Sequence, residues 1–170
     1  AERLVEAGIV VIAAVGNNEN DSIKPPANAL NVISIGGVDD ENTFTRSPGK
    51  LYHSTYGRTV DGLMKPELLA HAIWIAAPIL PGTREHAESK ALHAILEAGD
   101  ADIRSVLRKE HAKTQLGEEI GNCADTAGIR KLIVHRIQQC KYISPDYMHV
   151  DGTSFAAPIV CAVIAQLLEA

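Results

Sequence analysis

A serine hydroxyl at a helix start and an asparagine amide at a strand end are the groups in this sequence best placed to do chemistry. Residues 152–158 read Gly-Thr-Ser-Phe-Ala-Ala-Pro and lead into the apolar run 159–168. Gly152 permits a tight backbone approach, and Thr153 and Ser154 are cap-type residues, so a helix beginning near Ser154 is expected. Pro158 is then expected in the tolerant first turn, where a missing N–H costs little. Backbone N–H groups and the positive end of the helix dipole converge there, which suits a nucleophile whose attack creates an oxyanion. The same residues also describe an ordinary helix cap. Asn17 follows Gly16 at the end of an apolar run. An amide there can donate to an oxyanion or simply build the turn.

Both groups need a framework to bring them together. The run 9–15, rich in Val and Ile, reads as a strand buried on both faces of a parallel sheet. A short helix over 1–7, closed by Gly8, precedes it. Similar runs cover 30–38, broken by Gly36 and Gly37 and closed by Asp39 and Asp40, and 72–77, stopped at Pro78. The polar stretch 39–65, with Ser47, Pro48, Gly49, Gly57 and Gly62 as turn signals, reads as irregular surface with one short strand. From 82 to 148 the period becomes helical. Ala87, Ala91, Leu92 and Ile95, then Ile103, Val106 and Leu107, then Ile129, Leu132, Ile133 and Ile137 predict three amphipathic helices. Gly99 with Asp100, Gly117, and a cap at Asp125 or Thr126 bound them. Their charged residues, Arg104, Lys109, Glu110, Arg130, Lys131 and Arg136, read as a solvated face. The fold class is α/β, and Asn17 falls at a strand's carboxyl end, where open α/β sheets bind ligands.

Composition narrows the function classes. The 170 residues are 46% hydrophobic and 22% charged with a net charge of −5, values of a globular chain with a core of its own. There is no basic block to bind nucleic acid and no apolar run of membrane-span length. Cys123, Cys140 and Cys161 lack a Cys-x-x-Cys spacing, so buried free thiols are expected, with a Cys123–Cys140 pair open in an oxidising compartment. No metal or cofactor is expected. The sequence opens directly in a helical pattern without a secretory signal, and it reads as the interior of a longer chain.

Taken together, the two chemical stretches resemble the subtilisin-like serine peptidases. Ala13, Ala14, Val15, Gly16 and Asn17 resemble that family's strand and turn presenting the oxyanion-hole asparagine, and 152–158 resemble its nucleophile motif, Gly-Thr-Ser-x-Ala-Ala/Ser-Pro. Asn31 to Val38 with Asp39 resemble its next strand, and Lys65, Pro66, Glu67, Leu68, Leu69 and Ala70 its Lys-Pro-Asp-x-x-Ala-Pro-Gly segment. The match covers about 1–80 and 150–170. The resemblance implies a subtilisin-like parallel sheet flanked by helices, in which Ser154 attacks a peptide carbonyl while Asn17 and the Ser154 N–H hold the oxyanion. Ala14, Val15 and Gly16 would line the S1 pocket, and Pro26 falls where the family often has a cis bond.

The departures from the family pattern shape the rest of the expectation. Ala70 is followed by His71 and Ala72 in place of Pro-Gly, Phe155 stands directly after the serine, and 82–148 replace a short loop with a helical insertion expected beside the active site. The family's Asp-Ser/Thr-Gly and His-Gly-Thr contexts are absent. The seven histidines, His53, His71, His86, His93, His111, His135 and His149, all follow Asn17 and match no family motif. The chain is therefore expected to be the C-terminal half of a peptidase domain, cleaving peptide or protein substrates only with a missing N-terminal half that carries Asp and His. Alone it is expected to be inactive. Loss of that half would expose a sheet edge along 9–15 and favour self-association. A different class of reading is a non-catalytic module whose insertion recruits a partner.

Overall fold

The computed structural model describes residues 1–43, 49–122 and 125–170. The turn signals Ser47 and Pro48 and the thiol of Cys123 lie outside the described residues. In chain order the elements are α1 Glu2–Glu6, β1 Ile12–Ala14, β2 Ile33–Asp39, β3 Lys50–Leu51, β4 Gly57–Arg58, β5 Met64–Lys65, β6 Leu68–His71 and β7 Ile75–Pro78. They continue with α2 Arg84–Glu97, α3 Ile103–Glu110, α4 Thr126–Gln139, β8 Tyr142–Ser144, β9 Tyr147–Val150 and α5 Thr153–Glu169. Two compact units result: Ala1–Ile75 with Val150–Ala170, and Ala76–His149.

The first unit is built on β1, β2 and β6, which run parallel with β2 in the centre. Helix α5 packs across all three strands. The apolar run 9–15 pairs only in its second half. Register places Ile12 opposite Ile33, so Ile9 and Val10 lie beyond the start of β2 and are exposed. There the N–H and side-chain amide of Asn31 are held by the Glu2 carboxylate (3.1 and 2.9 Å) instead of extending a ladder.

Gly36 and Gly37 do not break the second run, contrary to expectation; β2 passes straight through them. They are small because neighbours come close. A Cβ on Gly36 would lie 2.7 Å from side-chain atoms of Leu69 and Pro66, and one on Gly37 2.5 Å from Ala72 Cβ. The third parallel strand is Leu68–His71, not 72–77. Ala72 is buried outside the strand, Trp74 takes φ +60°, and a bulky residue in that region cannot continue an extended strand. Ile75–Pro78 belongs to a separate sheet of order β7-β9-β8. Among its described residues the polar stretch 39–65 carries three two-residue strands, β3, β4 and β5, rather than one. The bond Pro25–Pro26 is cis, as is Lys65–Pro66.

The second unit contains the three helices that periodicity predicted. Leu92, Ile95, Ile103, Leu107, Ile129 and Ile133 form its buried core with Ile79, Ile120 and Tyr142. Thr83 caps α2 through the His86 N–H, and Asp125 caps α4 through the Gly128 N–H at 2.6 Å. Charged residues expected on a solvated face are engaged instead, Arg130 and Arg136 among them. Arg130 donates to the Ala98 carbonyl (2.6 Å) and to Asp100 (2.9 Å), closing the end of α2. Arg136 donates at 2.8 Å to Glu88, a fully buried carboxylate that also accepts from Tyr142 and Gln115. No helix among the described residues is long and apolar enough to cross a membrane.

Candidate active site

Helix α5 starts one residue before the expected point, at Thr153, so Pro158 is its sixth residue rather than part of its first turn. Proline has no N–H, and the bond it would have donated to the Ser154 carbonyl is missing. Ser154 itself is exposed in the first turn, and its N–H is one of the donors that a helix start leaves without an intrahelical acceptor. The helix dipole adds partial positive charge at the same place.

The structure brings Asn17 to this helix start. Asn17 Oδ1 accepts from the Thr153 N–H at 2.8 Å and from the Thr153 hydroxyl at 2.9 Å. A backbone N–H can only donate, so the atom facing Thr153 must be the amide oxygen, and Nδ2 is the end left to donate elsewhere. The Thr153 hydroxyl also accepts from the Gly16 N–H at 3.3 Å, and Thr153 is 1% exposed. Thr153, legible in the sequence only as a cap-type residue, is thus the one that ties Asn17 and Gly16 to the helix start.

Two glycines make the approach possible. Gly152 has φ +133°, and a Cβ there would sit 3.2 Å from Asn17 Nδ2, pressing on the donor. Gly16 has φ +115°, and a Cβ there would sit 2.8 Å from Thr55 Oγ1. Buried Thr55 closes the outer side of the turn, with its N–H on the Gly16 carbonyl (3.1 Å) and its hydroxyl on the Asn18 carbonyl (2.8 Å). Nothing in the local sequence around Thr55 signals this role, because its partners lie far along the chain.

The proposed pocket residues separate. Ala14 lies with Ser154 along an open, apolar groove of about 630 Å³, together with Ile12, Ala157, Pro158 and Cys161. Gly16 is tied to Thr153, and Val15 turns its side chain into the core with Ala13, Ala27 and Val32. Cys161 is a free, exposed thiol in this groove rather than a buried one; Cys140 is free and half-buried. Among the described residues no group of three His, Cys, Asp or Glu side chains could hold a metal ion.

The histidines of this unit are His53 and His71. The His53 ring lies against Tyr52, 4.0 Å between centroids, and His71 is 3.6 Å from Asp40 on the surface. Among the described residues of the unit, neither is hydrogen-bonded to Ser154. In the second unit His86 bonds Asp146 at 2.8 Å and holds that carboxyl below its usual range.

A model of the subtilase family matches residues 2–170. The chain is also similar to serine protease AprX of Bacillus subtilis (strain 168), 39% identical over 75 residues. That alignment covers 42% of this chain and 17% of AprX.

Proposed function

From the premise that the chain belongs to the subtilase family, we propose that it carries the nucleophile and oxyanion hole of a serine endopeptidase. Ser154 attacks the carbonyl of a peptide or protein substrate. Asn17 Nδ2 and the Ser154 N–H donate to the oxygen as it gains negative charge, and the first turn of α5 adds its dipole. Collapse of the tetrahedral intermediate expels the amine and leaves an acyl-serine, which water hydrolyses. The observation that supports the reading is that Thr153, the residue before the exposed serine, donates twice to the Asn17 amide oxygen, which leaves the amide nitrogen as the end able to donate.

A serine hydroxyl needs a base to accept its proton, and that base in turn needs an orienting carboxylate. The proposal assigns both to a preceding segment of a longer chain. The apolar groove that begins at Ser154 and runs along β1 and α5 supports this assignment, since a segment laid there would arrive next to the hydroxyl. With that segment missing, residues 1–170 are inactive, and the free edge of β1 and the bare side of α5 drive self-association.

A fluorophosphonate probe tests the reading. Ser154 is labelled in the longer chain and not in residues 1–170. Asn17→Ala slows labelling of the longer chain by about 10²–10³, the effect recorded for removing one such donor from a subtilisin. Labelling of 1–170 alone would overturn the assignment of the base. An unlabelled longer chain would overturn the nucleophile and favour a non-catalytic module.

A further inference from the structure

Residues 151, 152 and 153 lead into α5 in succession, and each is held by a different segment of the first unit. The Gly152 N–H donates to the Ala72 carbonyl at 2.6 Å, and Thr153 is held by Asn17. Asp151 Oδ2 accepts from the Tyr52 hydroxyl at 3.3 Å.

Tyr52 is built as a fixed post. It is 6% exposed, its N–H donates to the Gly37 carbonyl at 3.1 Å, and its side chain lies on Gly37 so closely that a Cβ there would be 2.9 Å from the ring. Burial, and then the charge of Asp151, push the phenol up to about 12, so it remains a donor at any working pH.

We propose that Tyr52 is a positioning residue for Ser154: bonded through its N–H to Gly37 of β2 and through its hydroxyl to Asp151, it fixes the entry of α5, and with it the direction of the Ser154 hydroxyl and N–H. The proposal rests on Ser154 being the nucleophile. Tyr52 therefore acts through Asp151 and touches no reacting atom. The sequence pattern shows nothing of this, because the two residues lie 99 positions apart.

The test uses the longer chain. Tyr52→Phe keeps the ring on Gly37 and removes only the donor. Its kcat is expected to fall about three- to tenfold with KM nearly unchanged, the size of one lost hydrogen bond that matters only to the reacting geometry. Asp151→Ala should cost at least as much, the double variant no more than Asp151→Ala alone, and Asp151→Asn, whose amide oxygen still accepts, should keep most of the activity. An unchanged kcat in Tyr52→Phe, or losses that multiply in the double variant, would overturn the proposal. Amide hydrogen exchange at Gly152 and Thr153 provides a second readout. It should quicken in Tyr52→Phe and not in Tyr56→Phe, a control at an exposed tyrosine. If the wild-type chain lacks Ser154-dependent hydrolysis, the nucleophile assignment fails, and unchanged exchange would still reject the tether on its own.

Discussion

The two units bury their apolar residues to different degrees. In the second, Leu92, Ile95, Ile103, Ile120, Ile129 and Ile133 are all no more than 1% exposed, and the buried carboxylate of Glu88 is fully partnered. In the first, α5 is apolar on every side, yet only Thr153 and Ala156 are buried, and Val163, Leu167 and Leu168 are half or more exposed. A helix that is apolar all round is normally enclosed. The second unit has closed its own core, whereas the first leaves an apolar helix largely exposed. The candidate site sits on the more open unit, at the start of that exposed helix.

The largest test of this contrast pairs two large-to-small substitutions in residues 1–170. Ile133→Ala removes buried methyl groups and should cost the second unit about 2–5 kcal/mol. Leu167→Ala should change stability by no more than about 0.5 kcal/mol, because its side chain is already in water. Denaturant unfolding measures both. In the longer chain the second value should rise into the core range; a Leu167→Ala cost that stays small there would mean that nothing covers α5. Light scattering gives a parallel reading: Leu167→Asp should lower the self-association of 1–170.

An effect of similar size is expected from the polar network of the closed unit. Glu88→Ala strips Arg136 of its partner and leaves Tyr142 and the Gln115 amides without an acceptor. Breaking a buried pair costs about 3–5 kcal/mol, and the lower end applies because the Arg136 side chain keeps 23% exposure. Glu88→Gln should recover part of the loss, since an amide oxygen still accepts. Equal stability of Glu88→Ala and wild type by thermal unfolding would show that the network contributes nothing.

The contrast also explains what could be read from sequence. The three helices of the second unit were legible because Leu92, Ile95, Ile129 and Ile133 repeat at helical spacing and face one core. In the first unit, apolar runs marked where strands exist and misplaced their limits. Ile9 and Val10 look like strand but precede the paired register, the Ile9 N–H going to the Leu4 carbonyl and Asn31 being held by Glu2. The run 72–77 looks continuous but turns at Trp74, whose positive φ no apolar pattern records. Ser154 and Asn17 were visible as candidates because Gly152 and Gly16 beside them complete specific motifs. Thr153, Thr55, Tyr52 and Asp151 were not, because their roles arise from hydrogen bonds between distant segments. Arg130 and Arg136 looked solvated for the same reason.

The smallest effect belongs to the interior of the open unit and depends on pH. Glu67 accepts from the Ser34 N–H (2.8 Å) and hydroxyl (2.6 Å) and pairs with buried Lys65, which also donates to the Val32 carbonyl at 2.7 Å. Burial pushes the Glu67 carboxyl up, but the bonds from Lys65 and Ser34 together outweigh it and hold the group below its usual 4.5. A folded-state value below the unfolded one means that the unfolded chain binds the proton more readily. The resulting stability is complete above the usual value and is lost as pH falls from there through the lowered folded value. Because the Glu67 side chain is 39% exposed, water screens the pair and the contribution is modest. Urea unfolding of wild type and Glu67→Gln from about pH 6 toward pH 3 should show a stability gap that narrows as the acid limb is crossed. A gap of constant size would mean that Glu67 acts by shape and neutral hydrogen bonding, with no part played by its charge.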